Sequence, residues 1–303
     1  MRRAFTALLT TILLAATMTA AHATPGTTTL SFVAHQDDDL LFMNPDIASD
    51  IKAGYQVWVV YLTAGQINDG HDMDYANSRI EGVRAAYAEA AQKPNRWIYE
   101  PMWFNGHELA TNRLDGTNLH LGFTFVKAAS GGGCDPNDPV SDARGDLYRM
   151  LHDDSFVAQP IDGRAPYTRA SFTGMLHDII REVEPDYIRS LSSIGHRLPP
   201  PNTDHVDHVS SAILAADADT VDGNTWIRRD EYDGYVIESY PKNVFGDWAV
   251  RKTEIWDQYW PKDPALDAGS HREKMERQYR PEGRIFWPGT AWVGPGDLSV
   301  CGD

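Results

Sequence analysis

Val57-Trp58-Val59-Val60-Tyr61-Leu62 is six apolar residues in a row with no alternation. Such a strand has no face to offer to water, so it belongs inside a sheet covered on both sides, as parallel strands of α/β folds are. The flanking sequence fits that placement. Residues 28–33, with Leu30, Phe32 and Val33, form a first strand. Asn44 is placed to cap a helix, Pro45 to begin it and Gly54 to end it. Strand, short helix and strand within about 35 residues make a βαβ unit.

The alternation continues. Ala76, Ile80, Val83, Tyr87 and Ala91 recur at helical spacing from Tyr75 to Ala91, and Trp97-Ile98-Tyr99 reads as a strand. A helix over Phe172–Val183 precedes a strand from Pro185 to Leu191. After Pro199-Pro200-Pro201, the run Thr203–His208 opens a helix that reaches about Ala218. The expected fold is one Rossmann-like α/β sandwich domain, residues 24–303, with a mostly parallel sheet. Residues 108–168 are rich in Gly, Asp, Asn and Pro and predict an irregular insertion, with a hairpin at Leu119–Val126. No repeat and no interdomain linker is visible.

Residues 1–23 have the make-up of a signal peptide. Arg2 and Arg3 precede an apolar stretch from Ala4 to about Met18, and Ala21-His22-Ala23 offers a cleavage site. The apolar stretch is shorter than the roughly 20 residues of a membrane span. No cysteine follows the cleavage site, so the mature chain is expected to be secreted without an anchor. Cleavage removes two Arg and no acid, which makes a net charge of −16 more negative still. That balance disfavours nucleic acid and anionic membrane as partners. The two cysteines, Cys134 and Cys301, are expected to pair in an oxidising compartment.

Chemistry concentrates at the end of the first strand, in Ala34-His35-Gln36-Asp37-Asp38-Asp39. A buried cluster of charge is costly unless a cation sits in it. Taken alone, the acidic run would also suit the start of a helix, where the dipole favours carboxylates. His35 and Asp38, three apart at a strand-to-helix turn, can chelate one ion. His205 and His208, at i and i+3, can supply one more ligand and leave one histidine over. In open α/β sheets, sites form beyond the carboxyl ends of strands, where both segments fall.

These motifs resemble the zinc-dependent N-acetylglucosamine deacetylases of the PIG-L/LmbE type. The first segment is similar to their A-H-P-D-D-E, and His205-Val206-Asp207-His208 to their H-x-D-H. Leu62-Thr63-Ala64-Gly65 resembles a T-x-G turn, Arg79-Ile80-Glu81 an R-x-E helix, and Glu184-Pro185-Asp186 an R-P-D run. Lys252 and Tyr259 resemble a K-x6-Y feature, so the likeness spans most of residues 28–260. It implies His35, Asp38 and His208 as ligands of Zn2+, though such a set also suits iron or cobalt. It implies Asp37 as general base, and a protonated His205 as electrostatic partner or acid. Asp39 and Arg79 become candidate substrate contacts, with pairing to nearby acids the other reading for Arg79. Two residues depart from the pattern. Gln36 replaces proline, which should loosen the turn, and Asp39 replaces glutamate.

The implied reaction is hydrolysis of an N-acetyl group on an N-acetylglucosaminyl moiety. Export and the long insertion favour a bulky glycoconjugate, such as a glycopeptide antibiotic pseudoaglycone, over cell-wall or chitin-type oligosaccharides. A sugar-binding module with a structural metal is the reading from another class. A metal-dependent phosphoesterase is disfavoured, because no Gly-rich phosphate loop is present. His71, His107, His120, His152, His177, His196 and His271 are expected on the surface or in the core, with His107 and His196 nearest the site. Trp103 and the 192–203 loop are candidates for an apolar face to a sugar.

Overall fold

Val57, Val59 and Tyr61 pack into one apolar core; Trp58, Val60 and Leu62 pack into another. The uninterrupted apolar run thus fills both faces of a central sheet. The computed structural model describes residues 26–66, 72–130, 145–193, 204–221 and 227–280. The sequence expectations for residues 1–23, His71, Cys134, the Pro199–Pro201 loop with His196, and Cys301 lie outside the described residues.

In chain order the elements are β1 (Thr28–Val33), α1 (Asp46–Ala53), β2 (Gln56–Tyr61), α2 (Met73–Ala90), β3 (Trp97–Tyr99), β4 (Met102–Phe104), β5 (His107–Leu114) and β6 (Leu119–Phe123). There follow α3 (Gly145–His152), α4 (Arg169–Val183), β7 (Tyr187–Leu191), α5 (Val206–Thr220), β8 (Arg228–Tyr232) and α6 (Asp247–Tyr259). The sheet runs β3-β5-β6-β2-β1-β7-β8, with β4 paired to β5. From β6 to β8 all pairings are parallel, while β5 is antiparallel to both β6 and β3. Helices α1, α2 and α6 cover one face and α3, α4 and α5 the other. The result is a three-layer α/β sandwich.

Between β1 and α1 the acidic segment enters a single π-helical turn, Asp39–Met43, whose apolar residues are all buried. Gly54 closes α1 with φ +79°, as its position implied. Among the described residues no helix is long and apolar enough to cross a membrane.

Two sequence expectations are corrected. Much of residues 108–168 is not an irregular insertion, because β5 and β6 form a hairpin inside the main sheet. Leu109 enters one core and Ala110 and Leu114 the other, but interleaved Glu108, Asn112 and Arg113 hide the period. Those polar side chains are partnered in place: Arg113 by Glu100 and Asn112 by Arg84, at 2.8 and 2.6 Å. The second is the hairpin expected at Leu119–Val126, which supplies only one strand, β6. A strand that no sequence expectation covered, β8, reads Arg-Arg-Asp-Glu-Tyr. Its charges are absorbed locally, as Arg228 pairs with Asp230, Arg229 with Asp219, and Glu231 accepts from Ser193.

His120 sits on β6 opposite Trp58 of β2, ring stacked on ring at 3.9 Å. Burial, aided by nearby Arg113, pushes its pKa down to about 4. The unfolded chain therefore takes up a proton at higher pH than the folded one. The stability this group provides is complete above pH 6.5 and is lost as pH falls towards 4. The expected loss is about 2–3 kcal/mol. In urea unfolding at pH 7.5 and 4.5, His120→Phe should show a smaller difference between the two pH values than the parent chain.

Candidate active site

β1 lies between β2 and β7, so the chain leaves it first to one side and later to the other. The crevice beyond the carboxyl end of β1 is the switch point of the sheet. Three segments meet there: residues 34–39 after β1, residues 63–66 after β2, and the start of α5. Thr63 ties the first two by donating its hydroxyl to the Ala34 carbonyl at 2.8 Å. Gln36 adds a bond from its amide to the Thr63 carbonyl at 3.1 Å. The expectation that Gln36 loosens this turn is thus corrected, since its buried side chain fastens it. Gly65, at φ +61°, holds a backbone conformation that suits glycine, and a Cβ there would crowd the Gln36 amide oxygen and the Arg79 guanidinium.

His205 caps α5, and its Nδ1 accepts the Asp207 backbone N–H at 3.1 Å. That bond places the ring proton on Nε2. One turn on, His208 presents Nδ1 to Asp204 Oδ1 at 2.8 Å, so Nε2 is the nitrogen turned towards Asp38. His35 presents Nε2 to Asp207 Oδ2 at 3.2 Å, leaving Nδ1 towards Asp38 at 3.3 Å. Two carboxylates, Asp204 and Asp207, therefore orient the two imidazoles, an arrangement common behind metal-ligating histidines. Asp207 also takes the Ala129 N–H at 2.7 Å, which ties the wall of the site to His35.

Asp38 links the two rings. One oxygen accepts the His35 backbone N–H at 2.6 Å; the other lies 2.8 Å from His208 Nε2. These last two atoms approach each other without hydrogen-bond geometry, and both are buried with no other partner. Ring nitrogens of His35, His205 and His208 lie within 4.8 Å of one another, as do ligand atoms of His35, Asp37 and Asp38. Nitrogen and carboxylate atoms converging in a buried place make a possible divalent-cation site, with His35 common to both groups.

The electrostatics agree. Burial alone would raise Asp38 and lower His208, but mutual attraction reverses both. Asp38 is held well below the carboxylate range, and His208 is pushed well above the ordinary histidine value by Asp38 and Asp204. His35 likewise overcomes burial, beside Asp38 and Asp207, to reach about 9. The pocket thus favours positive charge, and a metal would displace the protons that otherwise satisfy it. His205 differs. Burial, with His35 as a like charge, pushes it down to about 3. Its ring is neutral near pH 7 and offers an Nε2–H donor, which corrects the expectation of a protonated His205.

The site opens into a cavity of about 630 Å³, lined among others by His35, Asp37, Arg79, His205 and Tyr235. That size lies within the range of small-molecule sites. The Asp37 carboxylate accepts from Arg79 Nη2, and Arg79 Nη1 donates to the Gly65 carbonyl at 2.8 Å. Asp39 does not reach the cavity. It is wholly buried, and its carboxylate accepts from the phenols of Tyr61, at 2.8 Å, and Tyr87. The expected substrate contact at Asp39 is replaced by a role as an anchor in the core. Trp103 is exposed on β4 and His107 is stacked on Tyr167; neither lines the cavity.

Sequence reasoning missed Asp204, Asp207 and Tyr235. The two acids stand inside the quoted Thr203–His208 run, and their i,i+4 and local spacing to histidine was the available signal. Tyr235, stacked against His208 at 5.4 Å, comes from a 3-10 turn with no motif to mark it.

The profile of the PIG-L family, GlcNAc-PI de-N-acetylase, matches residues 30–218. No curated protein matches the chain by sequence. Among solved structures, the chain is similar to the zinc-inhibited form of teicoplanin deacetylase Orf2 at 12% identity, covering 81% of this chain and 88% of that one, with a TM-score of 0.44. The A40926 pseudoaglycone deacetylase Dbv21 gives 12% identity, 82% and 86% coverage and a TM-score of 0.40. GalB, the 4-carboxy-2-hydroxymuconate hydratase of Pseudomonas putida KT2440, gives 15% identity, 82% coverage of each chain and a TM-score of 0.41.

Asp204→Asn keeps an acceptor for His208 Nδ1 but removes its charge. The variant should bind a divalent metal about 10- to 100-fold more weakly, measured by competition with a chelator, while its folding remains cooperative.

Proposed function

The chain belongs to the PIG-L family of GlcNAc-PI de-N-acetylases, and on that premise we propose that it hydrolyses the acetamide of an N-acetylglucosaminyl group, releasing acetate and a free amine. The observation that supports this reading is the convergence of His35, Asp38 and His208 beside Asp37 at the edge of the cavity. A divalent metal, zinc by the family resemblance, would polarise the acyl oxygen and acidify the attacking water when bound there.

The protein's own groups supply the rest. Asp37 lies next to the ligand set in sequence and lines the cavity, placed to take the proton of the water whose oxygen bonds to the carbonyl carbon. His205 Nε2–H is a neutral donor for the oxyanion that develops as that bond forms. When the C–N bond breaks, the nitrogen needs a proton, and Asp37 carries the one it has just taken. Arg79 keeps the Asp37 carboxylate fixed while this occurs.

The acceptor we favour is a bulky, amine-bearing aglycone, such as a glycopeptide antibiotic pseudoaglycone, which an acidic protein of net charge −16 would attract. The make-up of residues 1–23 supports secretion. Acetate release should be assayed on an N-acetylglucosaminyl pseudoaglycone and on chitin oligosaccharides, with and without a chelator. Release should vanish on chelation. Asp37→Asn should lower kcat by about 10²- to 10⁴-fold while leaving the metal bound. A metal-loaded protein that binds the sugar and never releases acetate would refute the hydrolase; faster turnover of chitin oligosaccharides would refute only the preferred acceptor.

A further inference from the structure

The guanidinium of Arg79 is gripped on the side away from Asp37 by groups with no part in the reaction above. Its Nε–H donates to the Tyr259 hydroxyl at 2.7 Å and lies 3.1 Å from Asp263 Oδ2. The Tyr259 hydroxyl in turn donates to that oxygen at 2.9 Å. The other oxygen of Asp263 accepts the Tyr75 hydroxyl at 2.7 Å and the Ala265 N–H at 3.0 Å. Asp263 borders the cavity and is nearly buried, yet both of its oxygens are occupied from within the protein. It is therefore built to act on Arg79, not on a ligand.

A guanidinium is a planar fork, so fixing two of its directions fixes the third. Asp263 and Tyr259 hold Nε, the Gly65 carbonyl holds Nη1, and Nη2 is left aimed at Asp37. Released from that bracket, a long side chain would spread over several rotamers. The carboxylate it steadies would spread with it. Tyr259 ends α6 and Asp263 lies in the turn just after it, beyond residue 218, where the family match stops.

We propose that Asp263 is a positioning residue of the active site: acting through Tyr259 and Arg79, it fixes the direction from which the Asp37 carboxylate is held. The kinetic consequence rests on the hydrolase reading; the geometric one does not. Misplacing a reacting group by about 1 Å can cost about 100-fold in rate. Asp263→Asn should accordingly lower kcat about 10- to 100-fold and leave KM within about two-fold.

The test compares Asp263→Asn, Arg79→Met and the double variant, each measured for acetate release, with nitrogen-15 NMR of the Arg79 Nε–H, assigned by its loss in Arg79→Met. In the parent chain that proton should exchange slowly with water, and in Asp263→Asn at least about ten times faster. In the Arg79→Met background, Asp263→Asn should cost nothing further in kcat. Independent, additive losses in kcat, a loss confined to KM, or unchanged Nε–H exchange would each overturn the proposal. If Asp263→Asn does not fold, Tyr259→Phe removes the bridging hydroxyl and is held to the same two readouts. If the parent chain releases no acetate at all, the hydrolase reading falls, and the exchange measurement alone decides this one.

Discussion

Three buried carboxylates, Asp38, Asp204 and Asp207, set against the rings of His35 and His208, govern the rest of the site. Removing that much negative charge from water costs several kcal/mol per group unless positive charge is supplied. The fold supplies some at the start of α5, where the His205 N–H donates to Asp204 and the helix dipole favours the first-turn Asp207, which also takes the Ala129 N–H. The remainder must come from protons on the two imidazoles or from a metal between them. Both demand the same geometry, with each ring turned by its own carboxylate so that the remaining nitrogen faces Asp38. Stability and function therefore ask the same thing of these side chains, at the switch point of the sheet where the segment after β1 meets the start of α5.

Parts of this were legible in the sequence because one physical pattern spoke alone. The unbroken apolar run 57–62, the helix stop at Gly54 and the helical repeat from Ala76 to Ala91 each carry one signal, and each has the expected structure, with α1 starting one residue after the expected Pro45. The histidines and acids of the two motifs were visible because such residues at strand ends serve no packing need. Other parts were concealed where two demands overlapped. In β5 and β8, side chains that complete local ion pairs interrupt the alternation, so β5 read as part of an irregular insertion and no element was expected at β8. Asp39 read as a site residue because its neighbours are, while its two phenolic partners, Tyr61 and Tyr87, lie 22 and 48 residues away. His205 was expected to be charged because sequence carries no measure of burial, and burial sets its protonation.

Lys252 and Tyr259, seven positions apart on α6, show how the last part of the chain is joined to this centre. Lys252 is fully enclosed and donates to the carbonyls of Leu41 and Arg277, at 2.7 and 2.6 Å. Burial brings its pKa down to about 7. One carbonyl belongs to the π-helical turn that follows the acidic cluster; the other belongs to residues 275–280. Gln278 repeats the link by donating to the Met43 carbonyl at 2.7 Å. Tyr259, at the other end of the helix, reaches Arg79. A single helix thus presses on the π-helical turn at one point and on the guanidinium at another.

This division has a consequence for how such a site can change. The residues that line the possible metal site lie within 30–218, in the segment after β1 and at the start of α5, at the carboxyl edge of the parallel sheet. Tyr235, Asp263 and Leu266 line the same cavity from beyond that stretch. They are set by α6 and the turns around it, packed on one face of the sandwich, not by strand register. Substitutions there can reshape the wall against the substrate and leave the ligand geometry intact, provided Lys252 and Tyr259 keep their grip. The floor of the cavity is therefore set by the sheet, and part of its wall by a segment the sheet does not constrain.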